Sequence, residues 1–207
     1  MELVPIQRYV NHDNSCLFST ISYLIDKENF NESSSLIYRL TIVDYIKENT
    51  KITNDLLGMD KEEYISKIEN PSCWGGAIEL KIFSDILETQ IASIDIQSGR
   101  IDIFGETKDF TKRIYVLYNG IHYDPLVMNS IGNEENLNSD ITIFEPEDYD
   151  KLIKFKDLAE KLKSDGKFVD LNNINNYKCC SCNEQFSEEA DVYIHAQNNN
   201  HWKFDEI

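Results

Sequence analysis

Residues 11–25, N-H-D-N-S-C-L-F-S-T-I-S-Y-L-I, set polar residues before a cysteine and an apolar helical pattern after it. Leu17, Ile21, Leu24 and Ile25 fall at i, i+4, i+7 and i+8, one face of a helix. Asp13, Asn14 and Ser15 are all N-cap types, so the helix is expected to begin among them, with Cys16 in its first turn. Unpaired backbone N–H groups and the positive end of the helix dipole favour an anion there, and a thiol so placed is biased toward the nucleophilic thiolate. The alternative is a small buried hydrophobe beside Leu17 and Phe18. A nucleophilic cysteine needs a base, which turns attention to the histidines.

The chain has four histidines. His12 precedes the cysteine, and His195 and His201 lie in the tail. His122 stands two residues past Asn119-Gly120, a strong hairpin-turn signal, on an expected strand with Asp124 two positions further. Residues i and i+2 of a strand face one side, so Asp124 can fix the His122 tautomer and stabilise its imidazolium. The alternative is a half-exposed pair, each member satisfied locally.

Composition narrows the function classes. The 207 residues carry 20 basic and 37 acidic side chains, a net charge of −17. Such a surface repels phosphate backbones and anionic membranes and suits a partner with a basic face. Apolar residues make up 41%, enough for one ordinary domain plus a small one. No apolar run approaches the length of a membrane span, and no secretory leader is expected. Three of the five cysteines crowd at Cys179, Cys180 and Cys182. That usage points to metal or catalytic thiols in a reducing compartment, the cytoplasm and also the nucleus.

Between the two histidine regions the periodicity switches. Helices are expected over 33–49, with Leu36, Leu40, Val43 and Ile46 as its stripe, widened by Tyr38, Ile42 and Tyr45 to bury more than one side, over 60–69, and behind the loop Trp74-Gly75-Gly76, where Ile78, Ile82, Phe83, Ile86 and Leu87 repeat. Trp74 is either core or the lining of a groove. Ile94 and Ile96, a Ser98-Gly99 turn, then Ile101 and Ile103 read as a hairpin. A run over 113–118 returns as I-H-Y-D-P-L-V (121–127), ended or demoted to an edge by Pro125. Ile141 to Ile143 read as a last strand, 148–164 as a charged helix, and 172–176 as a linker.

The tail reads Cys179, two residues, Cys182, twelve residues, His195, five residues, His201. This is the spacing of a two-Cys, two-His zinc finger, with Phe186 and Ile194 as its core, Ser187 capping its helix and Cys180 as an alternative ligand. From Tyr177 onward there are six acidic residues and two lysines, which argues against a finger that reads nucleic acid.

D-N-S-C-L-F (13–18), W-G-G-A-I-E-L (74–80) and Y-N-G-I-H-Y-D-P-L (118–126) together resemble, in order and spacing, the ovarian-tumour (OTU) deubiquitinases, in the branch with a C-terminal zinc finger. The resemblance implies an α/β (α+β) cysteine-protease-like fold, a small mixed sheet packed between helices, followed by the finger. The expected divisions are a catalytic domain over 1–146, a helical linker over 147–176 and the finger over 177–207. It implies Cys16 as nucleophile, His122 as general base and later acid, and Asp124 as its orienting group. Asp13 would hold the cysteine loop so that backbone N–H groups, including that of Cys16, face an oxyanion; helix cap and loop anchor remain alternative descriptions of it. Cys179, Cys182, His195 and His201 would hold a structural zinc, with no cofactor for catalysis.

The implied reaction is hydrolysis of isopeptide bonds at the C-terminal glycine of ubiquitin, in conjugates or polyubiquitin chains. Trp74 and the two glycines would shape a channel for ubiquitin's basic tail. A catalytically silent ubiquitin-binding adaptor with the same fold is the alternative. The branch also carries a ubiquitin-like module, ahead of the catalytic domain, that docks on the valosin-containing-protein ATPase. That ATPase is the further partner the resemblance implies, and the module that would reach it has no room in this chain.

Overall fold

Ile91, Ile114, Val116 and Val127 face one side of a sheet, and Ala92, Tyr115, Leu117, Leu126 and Met128 face the other; all are buried. Alternation along each strand thus builds two cores, which requires cover on both faces. The computed structural model describes residues 2–11, 13–169, 177–187 and 189–206; His12 and the linker stretch 172–176 lie outside them. The sheet contains β1 (Leu3–Gln7), β2 (Gln90–Asp95), β3 (Ile101–Phe104), β4 (Arg113–Tyr118) and β5 (Tyr123–Ser130) in the order β1-β5-β4-β2-β3. Only β2 and β4 run parallel, so the sheet is mixed as expected.

One face carries α1 (Cys16–Asp26), α2 (Ser34–Glu48), α3 (Asn54–Leu57), α4 (Lys61–Glu69) and α5 (Ala77–Leu87). Asp60 caps α4 through the backbone N–H groups of Glu62 and Glu63. The other face is covered by α6 (Tyr149–Ser164), which inserts Phe155 against Tyr115 with ring centroids 4.6 Å apart. The helix in the stretch expected as a linker is therefore a layer of the sheet. The tail forms a second small sheet of β6 (Tyr177–Cys179), β7 (Gln185–Phe186) and β8 (Phe204–Glu206), with α7 (Glu189–Asn199). Among the described residues, no helix is long and apolar enough to cross a membrane.

Four local expectations are corrected. Leu36 and Leu40 of α2 are exposed, and Arg39 is buried instead, because the helix turns its Arg39–Ile42–Val43–Ile46 face inward. Pro125 lies inside β5 rather than ending it. It falls opposite Val116 and just past the last β1 pair, Gln7–Leu126, and its carbonyl accepts from Arg8 N–H at 2.9 Å. Ile141 makes one isolated bridge, with Met128, and no strand. His122 is in the β4–β5 connection, not on the strand, because the Asn119 side chain accepts from the N–H groups of Ile121 and His122 and holds residues 119–122 as a loop.

Candidate active site

Helix α1 begins where the sequence pattern places it, with Ser15 as N-cap and Cys16 as the first helical residue. The Ser15 hydroxyl does not cap the helix; it accepts from Arg39 at 2.8 Å. Asp13 Oδ1 accepts from Ser15 N–H at 2.8 Å, and the Asp13 carbonyl accepts from Cys16 N–H at 3.3 Å. Asp13 is exposed and touches its own loop rather than His122. The N–H expected to face an oxyanion is thus loosely engaged by the loop's own carbonyl, near the long end of the N–H···O range.

The loop is held from behind. Arg39 donates to the carbonyls of Asn14 (3.1 Å), Ile68 (2.9 Å) and Pro71 (3.4 Å), and its guanidinium lies 4.1 Å from the centre of the Phe18 ring. The Trp74 indole N–H donates to Asn14 Oδ1, so this half-exposed ring sits beside the cysteine loop. Gly75 is where the Trp74 loop meets α1: an added Cβ would lie 2.6 Å from Leu17 Cδ2. Arg39 went unnoticed in the sequence because a charged residue within a helix reads as a solvated face; its only trace is its place on the Ile42–Ile46 face. Replacing it by methionine keeps volume but takes the donor from the buried Ile68 carbonyl and Ser15 hydroxyl. Arg39→Met is expected to lower stability by about 2–4 kcal/mol. Urea unfolding, read beside the rate of Cys16 alkylation, checks it; a loss under 1 kcal/mol, about the size of an exposed ion pair, would show that Arg39 is not a structural hub.

The imidazole comes from the other side. Thr20 Oγ1 donates to the Tyr123 carbonyl at 2.8 Å, fastening α1 to the start of β5 and so bringing Cys16 beside His122. His122 Nε2 lies 3.1 Å from Asp124 Oδ1, and the Cys16 sulfur is close enough to the ring to favour its protonated form. Because Nε2 is taken by Asp124, Nδ1 is the ring nitrogen left for the sulfur. The Asp124 carboxylate also accepts from Gln7 Nε2 (2.8 Å), Val10 N–H (3.3 Å) and the Tyr193 hydroxyl (3.4 Å). Burial, the largest single influence, disfavours a charged His122. Hydrogen bonds to Asp124 and Cys16, and the charges of both, outweigh it and push the imidazole up to about 10. A sulfur, an imidazole and a carboxylate in this sequence can carry out acyl transfer, with the ring shuttling the proton.

Residues 11–134 match the family model described as OTU-like cysteine protease. The chain belongs to that family. The ubiquitin thioesterase OTU1 of Dictyostelium discoideum is 37% identical over 203 residues, 97% of this chain and 61% of the relative. The ovarian tumor domain-containing deubiquitinating enzyme 2 of Arabidopsis thaliana is 35% identical over 213 residues, covering 100% of this chain and 99% of the relative. A solved ovarian-tumour domain in complex with ubiquitin superimposes with a TM-score of 0.68 at 35% identity, covering 81% of this chain and 92% of that one. The OTU chain thus spans about three-fifths of the Dictyostelium relative's length and nearly all of the Arabidopsis relative's.

In the tail of this OTU chain, one donor atom each from Cys179, Cys182, His195 and His201 lie within 4.8 Å of one another. Cys179 Sγ to His201 Nδ1 is 3.5 Å, Cys182 Sγ to His195 Nε2 is 3.4 Å, and His195 Nε2 to His201 Nδ1 is 3.2 Å. Tetrahedral bonds of ~2.3 Å to sulfur and ~2.0–2.1 Å to nitrogen give nitrogen–nitrogen and nitrogen–sulfur edges of ~3.3–3.6 Å, so these three spacings suit a four-coordinate metal ion. Glu184 Oε2 lies 3.0 Å from His195 Nδ1, which leaves Nε2 facing the site with its lone pair. Cys180 is not in the cluster. Phe186 packs beside His195 as expected, but Ile194 is exposed, and Val192 and Tyr193 fill the interior. Tyr193 escaped sequence reading because its neighbour Ile194 was expected to fill that interior.

Proposed function

We propose that the chain is a deubiquitinase, hydrolysing the isopeptide bond at the C-terminal glycine of ubiquitin. The observation that carries the reading is the meeting of Cys16 with a buried His122 whose far nitrogen rests on Asp124. The relatives named as ubiquitin thioesterase and deubiquitinating enzyme, and the ovarian-tumour domain solved with ubiquitin, support the choice of substrate. The Cys16 sulfur attacks the glycine carbonyl, and the tetrahedral oxyanion draws on backbone N–H groups of the cysteine loop, with Cys16 N–H releasing the Asp13 carbonyl. As the C–N bond breaks, His122 protonates the departing lysine amine. Neutral His122 then takes a proton from water, which attacks the thioester; the sulfur leaves and the imidazolium re-forms. Both histidine roles use the ring held by Asp124.

Incubation with ubiquitin bearing an electrophilic C-terminus, followed by intact mass and peptide mapping, tests this. A covalent adduct on Cys16 is the expected result. Binding without an adduct would favour the adaptor, and neither binding nor adduct would remove ubiquitin as the substrate.

Asp124 sets the alkaline limit. Because it raises His122, the imidazolium needed to protonate the amine persists until pH rises through about 10. Asp124→Asn removes that support, so the fall in kcat/KM on the alkaline side is expected to begin at lower pH. A pH series with a fluorogenic ubiquitin C-terminal substrate checks it; an unmoved alkaline limb contradicts the role given to Asp124.

We assign zinc to the Cys179–Cys182–His195–His201 group, since two thiolates and two imidazoles at tetrahedral spacing suit that ion in a structural role. A thiol nucleophile and thiolate ligands both need reduced sulfur, which the cytoplasm and nucleus supply.

A further inference from the structure

The tail reaches the catalytic histidine. The Tyr193 ring stacks on the His122 ring, with centroids 4.5 Å apart and planes 19° from parallel. The Tyr193 hydroxyl accepts from Gln197 Nε2 at 2.7 Å, so its own proton is directed at Asp124 Oδ2, 3.4 Å away. One residue of the tail therefore covers the imidazole and bonds the carboxylate that orients it. The loop bearing His122 is gripped on the same side. Val192 and Tyr193 pack with Ile121 and Val169, and Val169 N–H donates to the Asn119 carbonyl at 2.9 Å. Gly120, with φ +108°, lies so close to Val169 that an added Cβ would stand 2.2 Å from its carbonyl oxygen.

We propose that Tyr193 is a positioning residue for His122, and that the metal held by Cys179, Cys182, His195 and His201 acts on catalysis through it. The inference rests on the reading of Cys16 and His122 as the catalytic pair. Tyr193 sits on α7 two residues before His195, so the helix that presents its ring is the one the metal fixes. A small domain with so few large apolar residues depends on its ion for its shape. With the ion in place, the aromatic face is held flat against the imidazolium, an attractive arrangement for a cation on a π face, and water is kept off the ring. Without it, α7 loses its anchor, the His122 ring is free to turn, and the proton path between Cys16 and Asp124 is misaligned. The metal takes no part in bond making; it sets the population of the reactive histidine orientation.

The test uses the full chain with its metal measured. Tyr193→Leu removes the stacked ring, and Tyr193→Phe keeps it. The leucine variant is expected to lower kcat on ubiquitin substrates by on the order of tenfold to a hundredfold, as small displacements of a catalytic group do, with KM unchanged. It is also expected to slow alkylation of Cys16 by iodoacetamide in the absence of ubiquitin, scored on the Cys16 peptide alone. The phenylalanine variant is expected to restore both. Wild-type kcat and alkylation in Tyr193→Leu, or a phenylalanine variant as slow as the leucine one, would overturn the stacking role. Should Tyr193→Leu lose its metal, chelation of the wild-type chain replaces it: Cys16 alkylation is expected to slow on metal removal and recover when zinc is restored, and an unchanged rate overturns the coupling. A wild-type chain inert to electrophilic ubiquitin would instead count against the catalytic pair itself.

Discussion

Cys16→Ala is expected to reduce hydrolysis of ubiquitin conjugates by on the order of 10⁴-fold or more, the scale on which removal of a covalent nucleophile registers. The fold should survive. Cys16 is only partly buried, its backbone N–H bond runs to the Asp13 carbonyl, and its sulfur fills no cavity in the α1 core, which is built on Leu17, Phe18, Ile21 and Leu24. Ubiquitin binding, measured by titration calorimetry, should likewise persist, because the loss falls on bond making. Discontinuous assays on a di-ubiquitin substrate, with thermal unfolding as a control, give the comparison. Residual turnover within tenfold of the parent would mean that another group attacks the carbonyl.

The second large effect concerns stability. Asp140 gathers four side-chain donor bonds: Arg8 Nε (2.7 Å) and Nη2 (2.6 Å), the Tyr23 hydroxyl (2.5 Å) and Asn129 Nδ2 (2.7 Å). Its side chain is fully buried and that of Arg8 nearly so. One carboxylate thereby joins the chain just after β1 to α1, to β5 and to the loop after β5. Asp140→Ala leaves a buried guanidinium without its anion and should cost about 3–5 kcal/mol by urea denaturation, the range for breaking one side of a buried pair. Burial alone would raise the Asp140 carboxyl, but the bonds from Arg8, Tyr23 and Asn129 and the Arg8 charge hold it below the usual range. A carboxyl whose folded value is depressed gives stability above its unfolded value of about 3.9 and loses it as pH falls toward the lower folded one. The alanine variant should therefore lack that part of the acid dependence. A cost under 1 kcal/mol, typical of an exposed pair, would show that the hub is not what locks these elements together.

Much of the site could be read before any coordinates. Helix α1 starts at Ser15 and Cys16, where the sequence pattern places it, and Asn119 to Asp124 turn the chain and bring an imidazole to a carboxylate. These are local events, set by a few neighbours in sequence. What stayed hidden depends on distant partners. Arg39 is buried because carbonyls from Asn14 in the cysteine loop, Ile68 in α4 and Pro71 just beyond that helix converge on its guanidinium. The segment Leu3–Gln7, interrupted by Pro5, is a strand only because β5 lies beside it. Residues Ile141 to Ile143 have the composition of a strand, but only Ile141 bridges Met128, so no ladder forms. The helix over Tyr149–Ser164 looked like a tether because it is highly charged; Phe155 and Ala159, on one stripe, decide that it is a layer. Tyr193 belongs with these, since nothing within the tail announces that its ring will meet an imidazole some seventy positions earlier.

The pairing of Leu3 with Ser130 carries a timing consequence for biosynthesis. The ribosome emits the amino-terminal strand first, and its neighbour in the sheet only after more than a hundred further residues, a delay of roughly ten seconds at ordinary elongation speeds of about 5–20 residues per second. Until then the thiol has no imidazole to answer it, and the nascent polypeptide is enzymatically silent. The imidazole reaches the thiol only when the last central strand has slotted between its two neighbours.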